Sequence, residues 1–262
     1  MNIVKLGKKK NMFLHIVGLV VFFGAWELAV RTGLLPHQVL AAPSEVLNTF
    51  ILKLTETKPD GDTIINHFFI SFRLALSGFV VAVGVGIPLG LFMGYYKALD
   101  MYMTPIFEIV RPIPPIAWIP IVILILGIGM GAKVFIIFVA AFVPCVINSY
   151  LGIKLTNQTL INVSKTFGAS DWQIFRTVCI PSSLPMVFAG VRTSLGASWG
   201  TLVAAEMLAS TGGLGYMIQM GRTLIRPDII IVGMLTIGFT GALMAKGLSL
   251  MEDKIAPWRS KQ

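Results

Sequence analysis

Six long apolar stretches constrain the fold of this chain more than any other feature. They lie near residues 12–30, 68–96, 101–127, 133–152, 183–209 and 228–250. A helix needs about 20 apolar residues to cross a bilayer, where each backbone polar group must be satisfied within the protein. Only 13% of the 262 residues are charged, whereas soluble domains carry about 25%. The sequence therefore predicts an all-α membrane protein with six transmembrane helices.

The positions of the basic residues predict how these helices are oriented. If residues 1–11 are cytoplasmic, the inside segments also include 153–182 and the tail 253–262. The basic residues in the inside segments are Lys5, Lys8, Lys9, Lys10, Lys97, Lys154, Lys165, Arg176, Lys254, Arg259 and Lys261. The outside segments hold fewer: Arg31, Lys53, Lys58, Lys133, Arg222 and Arg226. Because Lys and Arg are retained in the cytoplasm, both termini are predicted inside. Topology thus accounts for the net charge of +9, and we expect no nucleic-acid partner.

The predicted outside loop, residues 31–66, contains a helix-start pattern. Pro43 and Ser44 precede an apolar run, and Glu45 falls in its first turn. This pattern predicts an interfacial helix. Such a helix could contact a delivery protein, or it could simply cover the bundle.

Glycines recur at four-residue spacing in the second stretch, at Gly86, Gly90 and Gly94. Small residues one turn apart allow two helix backbones to approach closely. The pattern predicts either helix packing within one subunit or a seam between two subunits.

The third stretch is rich in proline, with four prolines between Pro112 and Pro120. A regular helix cannot accommodate all of them, and irregular backbone at membrane depth must be buried in protein or line a cavity. Glu108 and Arg111, three residues apart, could pair just before the break. They could hold a broken helix in place, or they could belong to a translocation path with Pro112, Pro114 and Trp118.

The fifth stretch carries charged and aromatic residues on one helical face, including Arg192, Trp199 and Glu206. Arg192 and Glu206 are about 21 Å apart along a helix, so each needs its own partner. The face could line a path or gate, or it could bind neighbouring helices.

Catalytic and metal-binding motifs are not supported. Gly196–Gly200 matches a serine-hydrolase pattern, but it falls in the middle of a predicted helix. Gly127–Lys133 lacks the residue order of a phosphate-binding loop. No group of Cys, His and carboxylate residues has the spacing of a metal site. We therefore expect a transport subunit rather than an enzyme.

The polar segment 162–181 lies between the fourth and fifth apolar stretches. Its sequence, NVSKTFGASDWQIFRTVCIP, predicts a short helix, a break at Gly168, a second amphipathic helix and a stop at Pro181. A helix pair in the cytoplasm between two spans could receive mechanical force from a soluble partner.

This segment resembles the cytoplasmic signature of ABC-importer permeases: Glu-Ala-Ala, three residues, Gly, nine residues, Ile-x-Leu-Pro. The chain has Asn162-Val163-Ser164 at the first element, Gly168 at the second and Val178-Cys179-Ile180-Pro181 at the third. Spacing, glycine and proline match, whereas Glu-Ala-Ala is missing. The similarity extends over nearly the whole chain, and RPIPPIAWIPIVILILGIG and GASWGTLVAAEML resemble the nitrate, sulfonate and taurine branch.

The resemblance implies a type I ABC importer permease fold with a single transmembrane permease domain, 12–252, in a bacterial inner membrane. It also implies a second permease copy forming a homodimer, two ABC ATPase subunits that bind ATP and Mg²⁺, and an extracytoplasmic binding protein. This chain would bind no cofactor. The imported solute would be small, polar or anionic, such as a sulfonate, taurine, nitrate, or a vitamin or its precursor.

The resemblance further assigns a coupling helix that docks on the ATPase, with candidate residues Ser164, Lys165, Phe167, Gly168, Ala169, Ser170, Asp171 and Trp172. The alternative function is a secondary transporter driven by an ion gradient. That alternative predicts inverted repeats and two broken helices, whereas the sequence has one strongly broken span and no evident repeat.

Overall fold

The computed structural model describes residues 2–255, so most of the predicted tail 253–262 lies outside the described residues. All regular structure within 2–255 is helical. The helices are α1 (Asn2–Arg31), α2 (Pro43–Leu52), α3 (Ile64–Tyr95), α4 (Lys97–Val110), α5 (Ile119–Leu126), α6 (Met130–Lys154), α7 (Gln158–Thr166), α8 (Asp171–Ile174), α9 (Ile180–Ala209), α10 (Leu214–Thr223) and α11 (Pro227–Ile255).

Within residues 2–255, five helices are long and apolar enough to cross a membrane. They are α1, α3, α6, the helical segment that contains α9, and α11. A sixth span arises if the bent pair Lys97–Val110 and Pro115–Leu126 counts as one. The prediction of a membrane protein with six spans is confirmed on this count.

The third span is broken where the prolines predicted a break. α4 ends at Val110, and a 3₁₀ turn from Pro115 to Trp118 leads into α5. The two arms differ in direction by 87°. Pro114 has an extended backbone, φ −58° and ψ 137°, which is the conformation favoured before a following proline.

The chain divides into two compact units, one comprising Met1–His67 with Met217–Thr236 and the other Phe68–Tyr216 with Ile237–Gln262. The first unit contains the predicted interfacial helix, α2, which begins at Pro43 as expected. The Glu45 carboxylate accepts a hydrogen bond from the Ala42 amide at 3.1 Å. Glu45 therefore satisfies a backbone donor at the entrance to this helix.

The same unit contains a buried charged cluster formed by Lys53, Asp60 and His67. The ammonium of Lys53 pairs with the Asp60 carboxylate and donates to the Asp62 carbonyl at 2.6 Å. His67 Nε2 lies 3.3 Å from the other Asp60 oxygen. Burial alone would raise the pKa of the Asp60 carboxyl, but hydrogen bonds from His67 and Lys53 outweigh it and hold that pKa below its ordinary value.

In the second unit α6 packs closely against α3. A Cβ atom at Gly86 would lie 2.9 Å from Cys145 Cβ, one at Gly90 would lie 2.7 Å from Ser149 Cβ, and one at Gly94 would lie 2.7 Å from Ile153 Cβ. All three glycines therefore face α6 of the same chain. The structure supports packing within one subunit over a seam between subunits.

A second face of α6 contacts α9 in the same way. Here Gly152 meets Ser183, and Gly190 meets Asn148, with added Cβ atoms 2.9 Å and 2.7 Å from the neighbouring Cβ. Because lipid offers little hydrophobic drive for helix association, close backbone approach is the main source of packing energy. The helix α6 thus holds α3 and α9 through glycine contacts.

Replacing Gly90 with alanine should destabilise the protein by about 1–3 kcal/mol, because the new methyl group would overpack the α3–α6 contact. Gly84→Ala is the matched control, since Gly84 lies on the same helix with open space around it. Thermal unfolding in detergent should show a lower midpoint for Gly90→Ala only. Equal midpoints for the two variants would contradict the packing described.

Asp60→Asn should lower stability at neutral pH by about 3 kcal/mol, because it leaves the buried Lys53 without its charge partner. Since the pKa of Asp60 is lowered by folding, its stabilising effect is present above the ordinary carboxyl pKa of about 3.9 and is lost as the pH falls through the lower folded value. Thermal midpoints measured from pH 7 down to 2 should therefore fall more for the wild type than for Asp60→Asn. Glu56→Gln, an exposed carboxyl in the same loop, should behave like the wild type.

Candidate functional site

The polar segment between α6 and α9 forms two short helices joined at Gly168, as predicted. α7 ends in a motif in which the Gly168 amide donates to the Lys165 carbonyl at 2.9 Å and the Ala169 amide donates to the Ser164 carbonyl at 3.1 Å. Gly168 has φ +80°. This pairing, with glycine in the left-handed region, is the Schellman arrangement that ends a helix.

The next helix begins with reciprocal capping. The Ser170 hydroxyl accepts from the Gln173 amide at 3.3 Å, and the Gln173 side-chain oxygen accepts from the Ser170 amide at 2.8 Å. Asp171 follows in the first turn of α8, where the helix dipole favours a negative charge. Only Gly168 and Ala169 separate Phe167, the C-cap of α7, from Ser170, the N-cap of α8. Local hydrogen bonds therefore fix both sides of the bend.

The predicted stop at Pro181 is wrong. The second helix does not end there, because α8 continues through a π-helical turn, Phe175–Cys179, directly into α9. The Ile180 amide donates to the Phe175 carbonyl five residues earlier. Pro181 then falls in the first turn of α9, where its missing N–H is tolerated.

The base of this segment is packed into the second unit. Ile174, Phe175 and Cys179 are buried against Ile153, at the end of α6. The Tyr95 hydroxyl, at the end of α3, donates to the Asp171 carbonyl at 2.8 Å. The segment is therefore attached to two membrane-spanning helices as well as to α9.

The outer side of the segment exposes large apolar side chains that we call the tip patch: Leu160, Val163, Phe167 and Trp172. Their exposed fractions are 52%, 46%, 85% and 53%. Leu160, Val163 and Phe167 follow the i, i+3, i+7 spacing of one helical face. A cluster of exposed apolar side chains is a candidate interaction surface.

Sequence analysis missed Leu160 and Val163, although their spacing with Phe167 was a detectable signal. The other candidate positions support the bend instead. The Ser164 hydroxyl donates to the Leu160 carbonyl at 2.9 Å, and Ala169 is half-buried against the base. Lys165 is exposed beside the patch.

Glu108 and Arg111, predicted as a pair, form no ion pair with each other among the described residues. They are both exposed, and they line one cavity of about 380 Å³ between α4 and α6, together with Thr104, Phe107 and Tyr150. Pro112 and Pro114 lie exposed in the break that follows, and Trp118 lines a second, apolar cavity on α4 and α6. The structure thus brings the two charges to one cavity and places Trp118 at another.

Arg192, Trp199 and Glu206 each contact a neighbouring element. Arg192 forms an ion pair with Glu252 of α11, and Trp199 Nε1 donates to the Ile237 carbonyl at 3.0 Å. Glu206 is fully buried and accepts a hydrogen bond from Ser71 of α3 at 2.8 Å. Arg192 and Glu206 therefore have separate partners, as predicted. These contacts favour the binding of neighbouring helices over an open path at this face.

Apolar spans with a packed polar segment between two of them do not identify a function by themselves, but comparison with known proteins does. Residues 86–261 match the family described as the binding-protein-dependent transport system inner membrane component. A probable ABC transporter permease of Brucella abortus is 36% identical over 95% of this chain and 96% of its own length. The taurine transport system permease TauC of Escherichia coli is 31% identical over 96% and 92%.

The nitrate import permease NrtB of Synechocystis is 33% identical over 85% of this chain and 82% of its own length. Among solved structures, a chain of the MetNI methionine ABC transporter, in inward-facing conformations, matches with a TM-score of 0.53 at 21% identity. The match covers 71% of this chain and 94% of that chain. This likeness concerns the fold, which is that of a type I importer permease.

The chain therefore belongs to the family of binding-protein-dependent inner membrane transport components, the permease subunits of ABC importers. Its relatives place it in the branch that contains the taurine, sulfonate and nitrate permeases. Such a subunit is a multi-pass membrane protein and not an enzyme. It works with a separate ATPase and with a solute-binding protein.

Gly168→Ala should destabilise the junction of α7 and α8 by about 1–2 kcal/mol, because a Cβ disfavours the left-handed backbone at this position. Gly168→Asn is the matched variant, since asparagine tolerates that conformation better. Amide hydrogen exchange should rise in residues 164–174 for the alanine variant and change less for asparagine. Equal exchange in both variants would argue against the strained bend.

Proposed function

We propose that the segment 158–179 is the coupling element of this permease and that the tip patch docks on the partner ATPase. The single observation that supports this most directly is that four large apolar side chains are exposed on this segment, while its other large apolar side chains are buried or half-buried. Buried aromatic anchors dominate the energetics of protein interfaces. Phe167 and Trp172 are the two aromatic side chains available for this role.

The capped bend explains how these anchors are presented. Gly168 and the Ser170 cap hold α7 and α8 at a fixed angle, so the patch keeps its shape before the partner binds. A preorganised surface loses less conformational entropy on binding. Ser164 and Ala169 shape the bend, and Lys165 and Asp171 border the patch with charge.

We further propose that two copies of this chain form a homodimer, with two ATPase subunits that bind ATP and Mg²⁺ on the cytoplasmic side. Closure of the ATPases on ATP would move both coupling elements and switch the permeases between inward-open and outward-open states. The distribution of Lys and Arg supports cytoplasmic termini and a cytoplasmic coupling element. The family assignment favours this function over an ion-gradient-driven transporter.

The solute is proposed to be a small polar or anionic organic molecule delivered by the binding protein. Relatives named for taurine, aliphatic sulfonates and nitrate support this class. Glu108 and Arg111, which line one cavity in the broken third span, are proposed to lie on its path with Pro112, Pro114 and Trp118. Charged groups inside a span commonly mark such pathways.

Phe167→Ala and Trp172→Ala should each weaken association with the ATPase by about tenfold or more, because both remove an interface anchor. Membrane insertion should be unchanged, since both side chains lie outside the apolar stretches 133–152 and 183–209. Co-purification of the ATPase in detergent and solute uptake in proteoliposomes measure the two consequences. ATPase activity should no longer support uptake in either variant.

Phe239→Ala is the control, because Phe239 is comparably exposed, at 68%, but lies on the membrane-spanning helix α11. It should retain ATPase association. Full uptake by both tip variants would remove the assignment of the coupling element.

A further inference from the structure

The C-terminal end of α9 carries a buried carboxylate that the proposed function does not use. Glu206 has no solvent exposure, yet it lies in a helix that crosses the membrane. An ionised carboxylate is costly to bury unless hydrogen bonds or charges compensate it. The contacts around Glu206 show what provides that compensation.

The compensation comes from the start of α10. The Gly215 amide donates to the Glu206 carboxylate at 2.8 Å. The Ser71 hydroxyl donates to the same carboxylate at 2.8 Å and accepts from the Leu214 amide at 2.7 Å. Leu214 and Gly215 are the first residues of α10, whose leading amides have no partner within the helix. A carboxylate at this end is also favoured by the helix dipole.

The loop before α10 is shaped to reach this carboxylate. Gly213 has φ +111°, and a Cβ atom at this position would overlap the Glu206 carboxylate. A Cβ at Gly215 would lie 2.7 Å from the Val203 carbonyl oxygen. Only glycine at these two positions allows the backbone of α10 to lie directly on α9.

A lysine on α6, Lys133, also binds the loop before α10. Lys133 Nζ donates to the Ser210 hydroxyl at 2.9 Å, and that hydroxyl donates to the Gly212 carbonyl at 2.6 Å. The loop between α9 and α10 is thus fixed by hydrogen bonds at both of its ends.

The opposite end of the same helical segment carries the coupling element. α8, the π-helical turn and α9 follow one another without a break from Asp171 to Ala209. The junction residues Phe175 and Ile180 keep right-handed helical dihedrals. Glu206 is 35 residues from Asp171, which at 1.5 Å per residue is roughly 50 Å.

We propose that Glu206 is a positioning residue that fastens the start of α10 to α9, so that α10 moves with the coupling element when the ATPases close. This inference rests on the proposed coupling function. Its physical basis is that a displacement at Asp171 passes along one continuous helix to Glu206. From there it reaches α10 directly through the Gly215 amide and indirectly through Ser71, which accepts from the Leu214 amide. α10 is therefore the element at the far end of the segment that reports the ATP-driven movement.

The attachment itself can be tested on the permease alone. Ser71→Ala should raise the amide exchange of Leu214 and Glu206→Ala that of Gly215, each by about fivefold to tenfold, because each substitution removes the acceptor of that amide. Glu206→Gln keeps an acceptor and should give an intermediate rate. Ser198→Ala is the control, since Ser198 is equally buried but bonds only within its own helix, to Leu195. Unchanged exchange in Ser71→Ala and Glu206→Ala would overturn the proposal.

The transmission is tested in the assembled complex with its ATPase. A fluorophore on Thr223→Cys, an exposed site on α10, can report movement on ATP and vanadate trapping, since both native cysteines are buried. Glu206→Ala should at least halve the fluorescence change, and Glu206→Gln should restore part of it. Ser198→Ala should keep the full change. All three variants should still associate with the ATPase. A full signal change in Glu206→Ala would overturn the proposal.

Different results would refute the coupling assignment and the role of Glu206. If Trp172→Ala retains ATPase association and uptake, the coupling assignment is lost, whereas the exchange measurement still decides whether Glu206 holds α10. If Trp172→Ala abolishes the fluorescence change and Glu206→Ala does not, the coupling element stands and the role of Glu206 is refuted.

Discussion

Close contact between helix backbones at glycine is the interaction on which the second unit depends. In a bilayer, apolar side chains gain little by leaving lipid for protein, so helices associate where their surfaces fit closely. The helix α6 uses this contact on two sides, with Gly90 of α3 facing Ser149 and its own Gly152 facing Ser183 of α9. The proposed coupling element packs against α6, and the start of α10 bonds to α9, so both contact helices that associate through glycine.

The proposed coupling element, residues 158–179, combines a rigid base with an exposed tip. Its base is fixed by aromatic packing, with the Phe175 ring 4.9 Å from that of Tyr95 and 5.6 Å from that of Trp172. Its bend is fixed by backbone hydrogen bonds around Gly168. Among its exposed side chains are the large apolar groups of Leu160, Val163, Phe167 and Trp172, which suits a surface that another protein covers.

Several features were predictable because they depend on local chemistry. Helical spans follow from apolar length, the break in the third span follows from the ring and missing N–H of proline, and the bend follows from Gly168. The stop at Pro181 was predicted wrongly, because a proline in a first helical turn and a proline after a helix look alike in sequence. A π-helical turn, Phe175–Cys179, decides between them, and no local residue pattern announces it.

The sequence by itself determined that the chain spans a membrane, the number of spans and the place of the bend at Gly168, since hydropathy, proline and glycine act over a few residues. Only the tertiary structure decided which partners the charged residues take. Arg192 meets Glu252, and Glu206 meets Ser71 and the start of α10. Ser71 is 135 residues from Glu206 along the chain, and Glu252 is 60 residues from Arg192. These encounters therefore depend on helix packing and not on local sequence.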